Sequence, residues 1–199
     1  MTTHAIATEH HHDHDADERD IFGFWIYILT DCILFACLFA AYAVLYKNVY
    51  GGPGVKDITN LPYVLLETVV LLTSSFTYGM AMLSLYQNNL TRLLTWLAIT
   101  FVLGFSFVML ELNEFIQLYL EGHSWQTSAA LTAFFSLVGT HGLHVSIGLV
   151  CMVVIMLQLG VFGIQPFMKR RLSYLGIFWA FLDIIWIFVF TIVYLMGVI

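Results

Sequence analysis

Charge is what this chain has least of: of its 199 residues only 10% are charged, while 60% are hydrophobic. Soluble domains run nearer a quarter charged and half apolar, so the composition excludes an ordinary water-soluble enzyme or binding module. Lys and Arg number only seven, and no patch basic enough to hold nucleic acid exists. Cysteine is equally sparse. Cys32, Cys37 and Cys151 form no CxxC pair and lie in apolar stretches, where a thiol reads as a small buried hydrophobe. A basic n-region is also missing from the start of the chain, so no signal peptide is expected there. No internal repeat is visible.

What is present is apolar length. Mean hydropathy is +0.88, and runs nearly free of charge occupy about 22–46, 62–86, 93–120, 127–162 and 172–197. Each exceeds the ~20 residues that cross a hydrocarbon core. The bilayer offers no water to unpaired backbone groups, and two-residue alternation is weak, so the runs read as helices rather than barrel strands. The expected fold is an all-α membrane protein, a bundle of five transmembrane helices at 21–199 behind a disordered, His- and acid-rich tail at 1–20. The breaks agree: Gly51-Gly52-Pro53-Gly54 cannot continue a helix, Pro62 suits a first turn, Gln87-Asn88-Asn89 ends the second run, Gly122 follows the third, and Gly163 with Pro166 closes the fourth.

Orientation follows from the cations. Arg19, Arg92, Lys169, Arg170 and Arg171 share one side and Lys47 and Lys56 the other; five against two places the N-terminus in the cytoplasm and the C-terminus outside. Trp25, Trp96, Trp125 and many tyrosines near the span ends fit interfacial belts. The net charge of -6 comes largely from the tail, where Glu9, Asp13, Asp15, Asp17, Glu18 and Asp20 face a single Arg19. Within that tail, His10-His11-His12-Asp13-His14-Asp15 is suited to weak divalent-metal binding, and Thr2-Thr3-His4 to Cu(II) once the first Met is removed. A solvated, disordered segment explains the same residues.

Asp31, Glu67, Glu111, Glu114, His141, His144 and Asp183 fall inside the apolar runs. A charge at the centre of a membrane helix costs about 2.5–3.5 kcal/mol on insertion scales, so these residues need partners, a proton or a wet cavity. At 1.5 Å per residue Asp31 and Asp183 lie roughly 14 and 16 Å from the inner ends of their helices, and Glu67 and Glu114 about 8–9 Å from the outer end. Two layers are expected, an acid–His layer at the midplane and a carboxylate layer outside it. Glu67, Glu111 and Glu114 lie in a similar outer layer, where like charges disfavour joint ionisation, so at least one carboxyl is expected to hold a proton or to meet a lipid amine or a partner's cation. His141 and His144 are three apart on one helix, so they cannot clamp a haem from opposite sides. The Glu-x-x-His pairs of di-iron bundles are absent, and the depth count separates Glu114 from both histidines. No metal or cofactor site and no catalytic residue is therefore expected; the polar residues read as interhelical pins, lipid contacts or proton handlers. Trp179, Asp183, Trp186 and Phe190 line one face of the last helix, as a packed interface with one polar pin would. By depth, Asp31 is expected to hydrogen-bond His141 or His144.

Three stretches carry a family resemblance. They are Phe22-Gly-Phe-Trp-Ile-Tyr-Ile-Leu-Thr-Asp31-Cys-Ile-Leu-Phe35, Phe134-Phe-Ser-Leu-Val-Gly-Thr-His141-Gly-Leu-His144-Val and Phe178-Trp-Ala-Phe-Leu-Asp183-Ile-Ile-Trp186. Glu111-Leu-Asn-Glu114-Phe115 has a counterpart as well. From Ile21 to the C-terminus the chain resembles subunit III of the haem–copper respiratory oxidases, and is most similar to the five-helix form in bacterial cytochrome bo-type ubiquinol oxidase. Ala180 departs from the pattern, standing where that family usually has His. The resemblance implies an accessory subunit of the bacterial inner membrane with no haem, copper or quinol of its own. It implies as partners the catalytic subunit I, which carries haem and copper, subunits II and IV, and phospholipids, and as roles assembly and sustained proton uptake. The rival reading, a small proton-coupled transporter using the midplane acids, predicts an internal repeat or a helix broken at the midplane; the sequence has neither.

Overall fold

The computed structural model describes residues 3–46, 61–120 and 128–195; Lys47, residues 51–54, Lys56, Gly122 and Trp125 lie outside them. Every element among the described residues is helical: α1 (Thr3–Leu45), α2 (Leu61–Tyr86), α3 (Leu90–Leu120), α4 (Ala129–Phe162) and α5 (Pro166–Val189), which a π-helical turn, Phe190–Leu195, extends. Five stretches are long and apolar enough to cross a membrane, Arg19–Leu45, Pro62–Tyr86, Leu90–Leu120, Ala129–Phe162 and Pro166–Tyr194. Five is the number of spans expected from the sequence.

The boundaries have local causes. Asn88 takes a positive φ of 53°, with Asn88 N–H on the Leu85 carbonyl and Asn89 N–H on that of Ser84, both at 3.1 Å. This is the paired bonding of a Schellman stop. Asn89 then accepts from the Arg92 N–H at 3.3 Å, so the next helix starts at once. Ser128 caps α4, its hydroxyl accepting from Leu131 N–H at 3.2 Å. Gly163, at φ 69°, ends it. The fifth helix begins at Pro166 rather than near 172. Proline at the first helical position forfeits no hydrogen bond, so Lys169, Arg170 and Arg171 ride on the first turns of the helix instead of a loop. At the other end, the α1 backbone is helical from Thr3, through residues that composition reads as a disordered tail; no Gly or Pro between Thr3 and Phe22 interrupts it. The side chains of the His10–Asp15 tract lie outside the described residues.

The chain divides into two units, Met1–Cys37 and Leu38–Ile199. The first is the N-terminal part of α1. In the second, α2 packs on α3, α3 on α4, α4 on α5 and α5 back on α2, a ring of four helices. Residues 38–45 join it through Phe39, edge-on to Phe188 at 6.3 Å, and Tyr42, whose hydroxyl donates to the Val193 carbonyl at 3.4 Å. Lipid tails are as apolar as leucine, so such a ring is held by close packing and interhelical hydrogen bonds rather than by hydrophobic burial. The Trp179 ring shows the packing: a Cβ at Gly104 would stand 2.8 Å from it and one at Gly148 3.1 Å. Outward positions carry Val150, Leu157 and Val161, as a lipid-facing surface requires. All three cysteines are exposed, correcting their reading as buried: a thiol is apolar enough to meet lipid.

Candidate functional site

The interior of the second unit is lined by polar side chains from every helix of the ring. Trp179 Nε1–H donates to Ser74 Oγ at 3.1 Å, and the Ser74 hydroxyl donates to the Leu71 carbonyl at 2.6 Å. One layer further along, Trp186 Nε1–H donates to Thr68 Oγ1 at 3.0 Å, and Thr68 donates to the Val64 carbonyl at 2.9 Å. Two indoles of α5 are thus tied to two hydroxyls of α2, each at about 0.6 kcal/mol by the average for membrane hydrogen bonds. Thr77 and Thr100 bridge α2 and α3 at 2.8 Å. Tyr78 donates to the Leu172 carbonyl at 2.7 Å.

Beyond Trp186 the carboxylates gather. Glu67 on α2 and Glu111 and Glu114 on α3 are all buried and lie close enough to influence one another electrostatically. Neither oxygen of Glu67 has a hydrogen-bond partner among the described residues, nor has Oε1 of Glu111. Glu114 Oε2 accepts from the Tyr194 hydroxyl at 3.2 Å. Tyr194 reaches it from the π-helical turn, whose wider coil rotates side chains past Phe190 away from their α-helical positions. Between residues 93 and 168 no Lys or Arg occurs, and the one such residue on α3 or α4, Arg92, stands 19 positions before Glu111.

The two layers expected from depth meet. A Cβ at Gly142 would stand 2.5–2.9 Å from the Glu111 carboxylate, which therefore lies against the α4 backbone beside His141. His141 is fully buried, stacked on Trp186 with centroids 5.1 Å apart and edge-on to Phe107 at 5.9 Å. His144 is half-buried, and its Nδ1 lies 2.7 Å from the Thr140 carbonyl of its own helix. Asp183 is buried with Ser75 of α2 as polar neighbour. Ala180 lines a groove of about 400 Å³ between α2 and α5, with Ser75, Gly79 and Gly176. Asp31 lies in the other unit, on α1. Among the described residues no three His, Cys, Asp or Glu side chains converge as a metal site.

Sequence reasoning singled out none of Tyr42, Tyr78 and Tyr194, and all three are interior. Thr68, Ser74 and Gly142 also escaped notice. Gly142 alone carried a signal, since it sits between His141 and His144 and a glycine inside an apolar helix marks close approach.

The described residues thus form a five-span helical membrane protein with a polar interior. The model of cytochrome c oxidase subunit III matches residues 3–198, and the chain belongs to that family of accessory, non-catalytic subunits of haem–copper oxidases. The cytochrome bo(3) ubiquinol oxidase subunit 3 of Pseudomonas aeruginosa is 51% identical, over 98% of this chain and 93% of its own length. That of Buchnera aphidicola subsp. Schizaphis graminum is 46% identical, over 90% and 95%. The cytochrome c oxidase subunit 3 of Bacillus sp. (strain PS3) is 37% identical, over 89% and 86%. With five spans and bacterial relatives of this kind, the chain is a multi-pass protein of the bacterial inner membrane.

Proposed function

We propose that the chain is subunit III of a proton-pumping ubiquinol oxidase. The observation that carries this is the 51% identity, over 98% of the chain, to a relative bearing that name, against 37% to a cytochrome c oxidase subunit 3. In this reading haem, copper and the quinol site belong to the catalytic subunit I, and subunits II and IV complete the complex. The chain serves assembly, phospholipid contact and sustained proton uptake, with its N-terminus in the cytoplasm. The polar interior supports the reading: its indole–hydroxyl bonds tie α5 to α2 and the Thr77–Thr100 bond ties α2 to α3, as a scaffold needs. Ala180 leaves the chain without the His that its family usually has there, so no headgroup or proton contact is assigned to that position.

Capture by a tag on this chain in mild detergent tests the proposal. A complex with haem-bearing subunits and ubiquinol oxidase activity is expected. Stoichiometric haem on this polypeptide alone, or capture with no oxidase subunit, overturns it. In cells lacking the chain, the oxidase is expected to lose assembly or durability before initial turnover.

A further inference from the structure

We propose that the α2–α3 hairpin seats one phospholipid with a net-anionic headgroup, its phosphate at Arg92 and one acyl chain along the outer face of α3. The inference deepens the lipid-contact part of the proposed function and rests on the chain lying in a bilayer. Between Thr68 and Leu110 the sequence carries one charged residue, Arg92. Its guanidinium makes no hydrogen bond or ion pair with any described residue; only its backbone N–H is engaged, with Asn89. No carboxylate of either helix lies within 18 positions of it in sequence, the nearest on α3 being Glu111. At a membrane–water boundary such a cation draws a negatively charged headgroup.

Arg92 stands at the mouth of a groove of about 450 Å³ between α2 and α3, where Gln87, Thr91 and Trp96 also face the space. The Gln87 amide, the Thr91 hydroxyl and the Trp96 indole have no side-chain hydrogen bond to a described residue, so four donors meet there without partners. Phosphate oxygens accept from such donors, whereas nothing in the mouth offers a carboxylate to the ammonium of a zwitterionic headgroup. That asymmetry selects a phosphatidylglycerol over a phosphatidylethanolamine.

The groove continues into the membrane. At Thr95 and Ile99 it meets a second, of about 610 Å³, that runs along α3 past Ala98 to Val102 and Leu103. Residues 91, 95, 98 and 102 form one helical stripe. From Arg92 to Leu103 it rises about 16 Å at 1.5 Å per residue, close to half of the ~30 Å hydrocarbon core. A chain anchored at Arg92 therefore lies within its own leaflet.

The test is to solubilise membranes in mild detergent, capture the complex through this chain, and count phosphatidylglycerol and phosphatidylethanolamine per chain by mass spectrometry. The unaltered complex and Arg92→Lys are expected to hold one more phosphatidylglycerol than Arg92→Gln. Ala98→Phe, which fills the groove and keeps the cation, is expected to lose the same lipid. Equal counts in all four overturn the proposal, as does a retained phosphatidylethanolamine that follows Arg92 instead. Loss of a neighbouring subunit in Arg92→Gln with unchanged lipid also overturns it, since Arg92 then pairs with a protein carboxylate. Capture without haem-bearing subunits refutes the oxidase reading alone, because the lipid count per chain is still read.

Discussion

The Tyr194 hydroxyl donates to Glu114 Oε2 at 3.2 Å, joining the π-helical end of the last span to α3 across the centre of the bundle. Membrane hydrogen bonds average about 0.6 kcal/mol and reach ~1.7 at most. The cycle of Tyr194→Phe and Glu114→Gln is expected to give a coupling within that range, read from unfolding midpoints in a denaturing detergent titration. Coupling indistinguishable from zero would mean that the π turn places Tyr194 by packing alone.

Gly142 is where the carboxylate cluster touches α4, with a Cβ there 2.5–2.9 Å from three atoms of Glu111. Overpacking a tight site costs typically 1–3 kcal/mol, so Gly142→Ala is expected to lower the yield of assembled complex. Glu111→Ala added to it is expected to restore part of that yield. A Gly142→Ala chain that assembles as well as the parent refutes the contact.

Glu67 is fully buried, with both oxygens unpartnered among the described residues. Glu67→Gln keeps the shape and removes a group whose ionised form is costly in a bilayer. The complex is expected to keep its thermal midpoint within a few degrees, while Glu67→Lys, which buries a cation, is expected to abolish assembly. A marked fall with Glu67→Gln would assign Glu67 a ligand outside this chain.

For Asp31, a structural role predicts that Asp31→Asn preserves turnover and assembly whereas Asp31→Leu weakens assembly, read by complex yield and oxygen consumption. Slowed turnover in a normally assembled Asp31→Asn complex would instead assign this residue to proton delivery.

The cation distribution predicts topology. A reporter fused after Ile199 is expected to be active only outside the cytoplasm and one at Gln165 only inside; the reverse pattern refutes the orientation.

Sequence alone determined the number of spans and which acids and histidines fall inside the apolar runs. The reason is local: an apolar run longer than the hydrocarbon core has one low-energy solution, a helix, whatever its neighbours do. Turn chemistry set the tight stop at Asn88 in the same local way, and Pro166 started α5 earlier than hydropathy suggested because proline suits a first turn however basic the residues after it. What only the tertiary structure decided was azimuth and partner. Depth counting put Glu111 and His141 in different layers, yet side-chain length and the missing Cβ of Gly142 bring the carboxylate against the helix that bears the histidine. Nothing in hydropathy says that Tyr42, Tyr78 and Tyr194 point inward; only the packing of α2, α5 and the π turn directs them there. The cysteines face outward for the complementary reason: in a bilayer both sides of a helix are apolar, so hydropathy fixes that a residue is in the membrane but not which way it points.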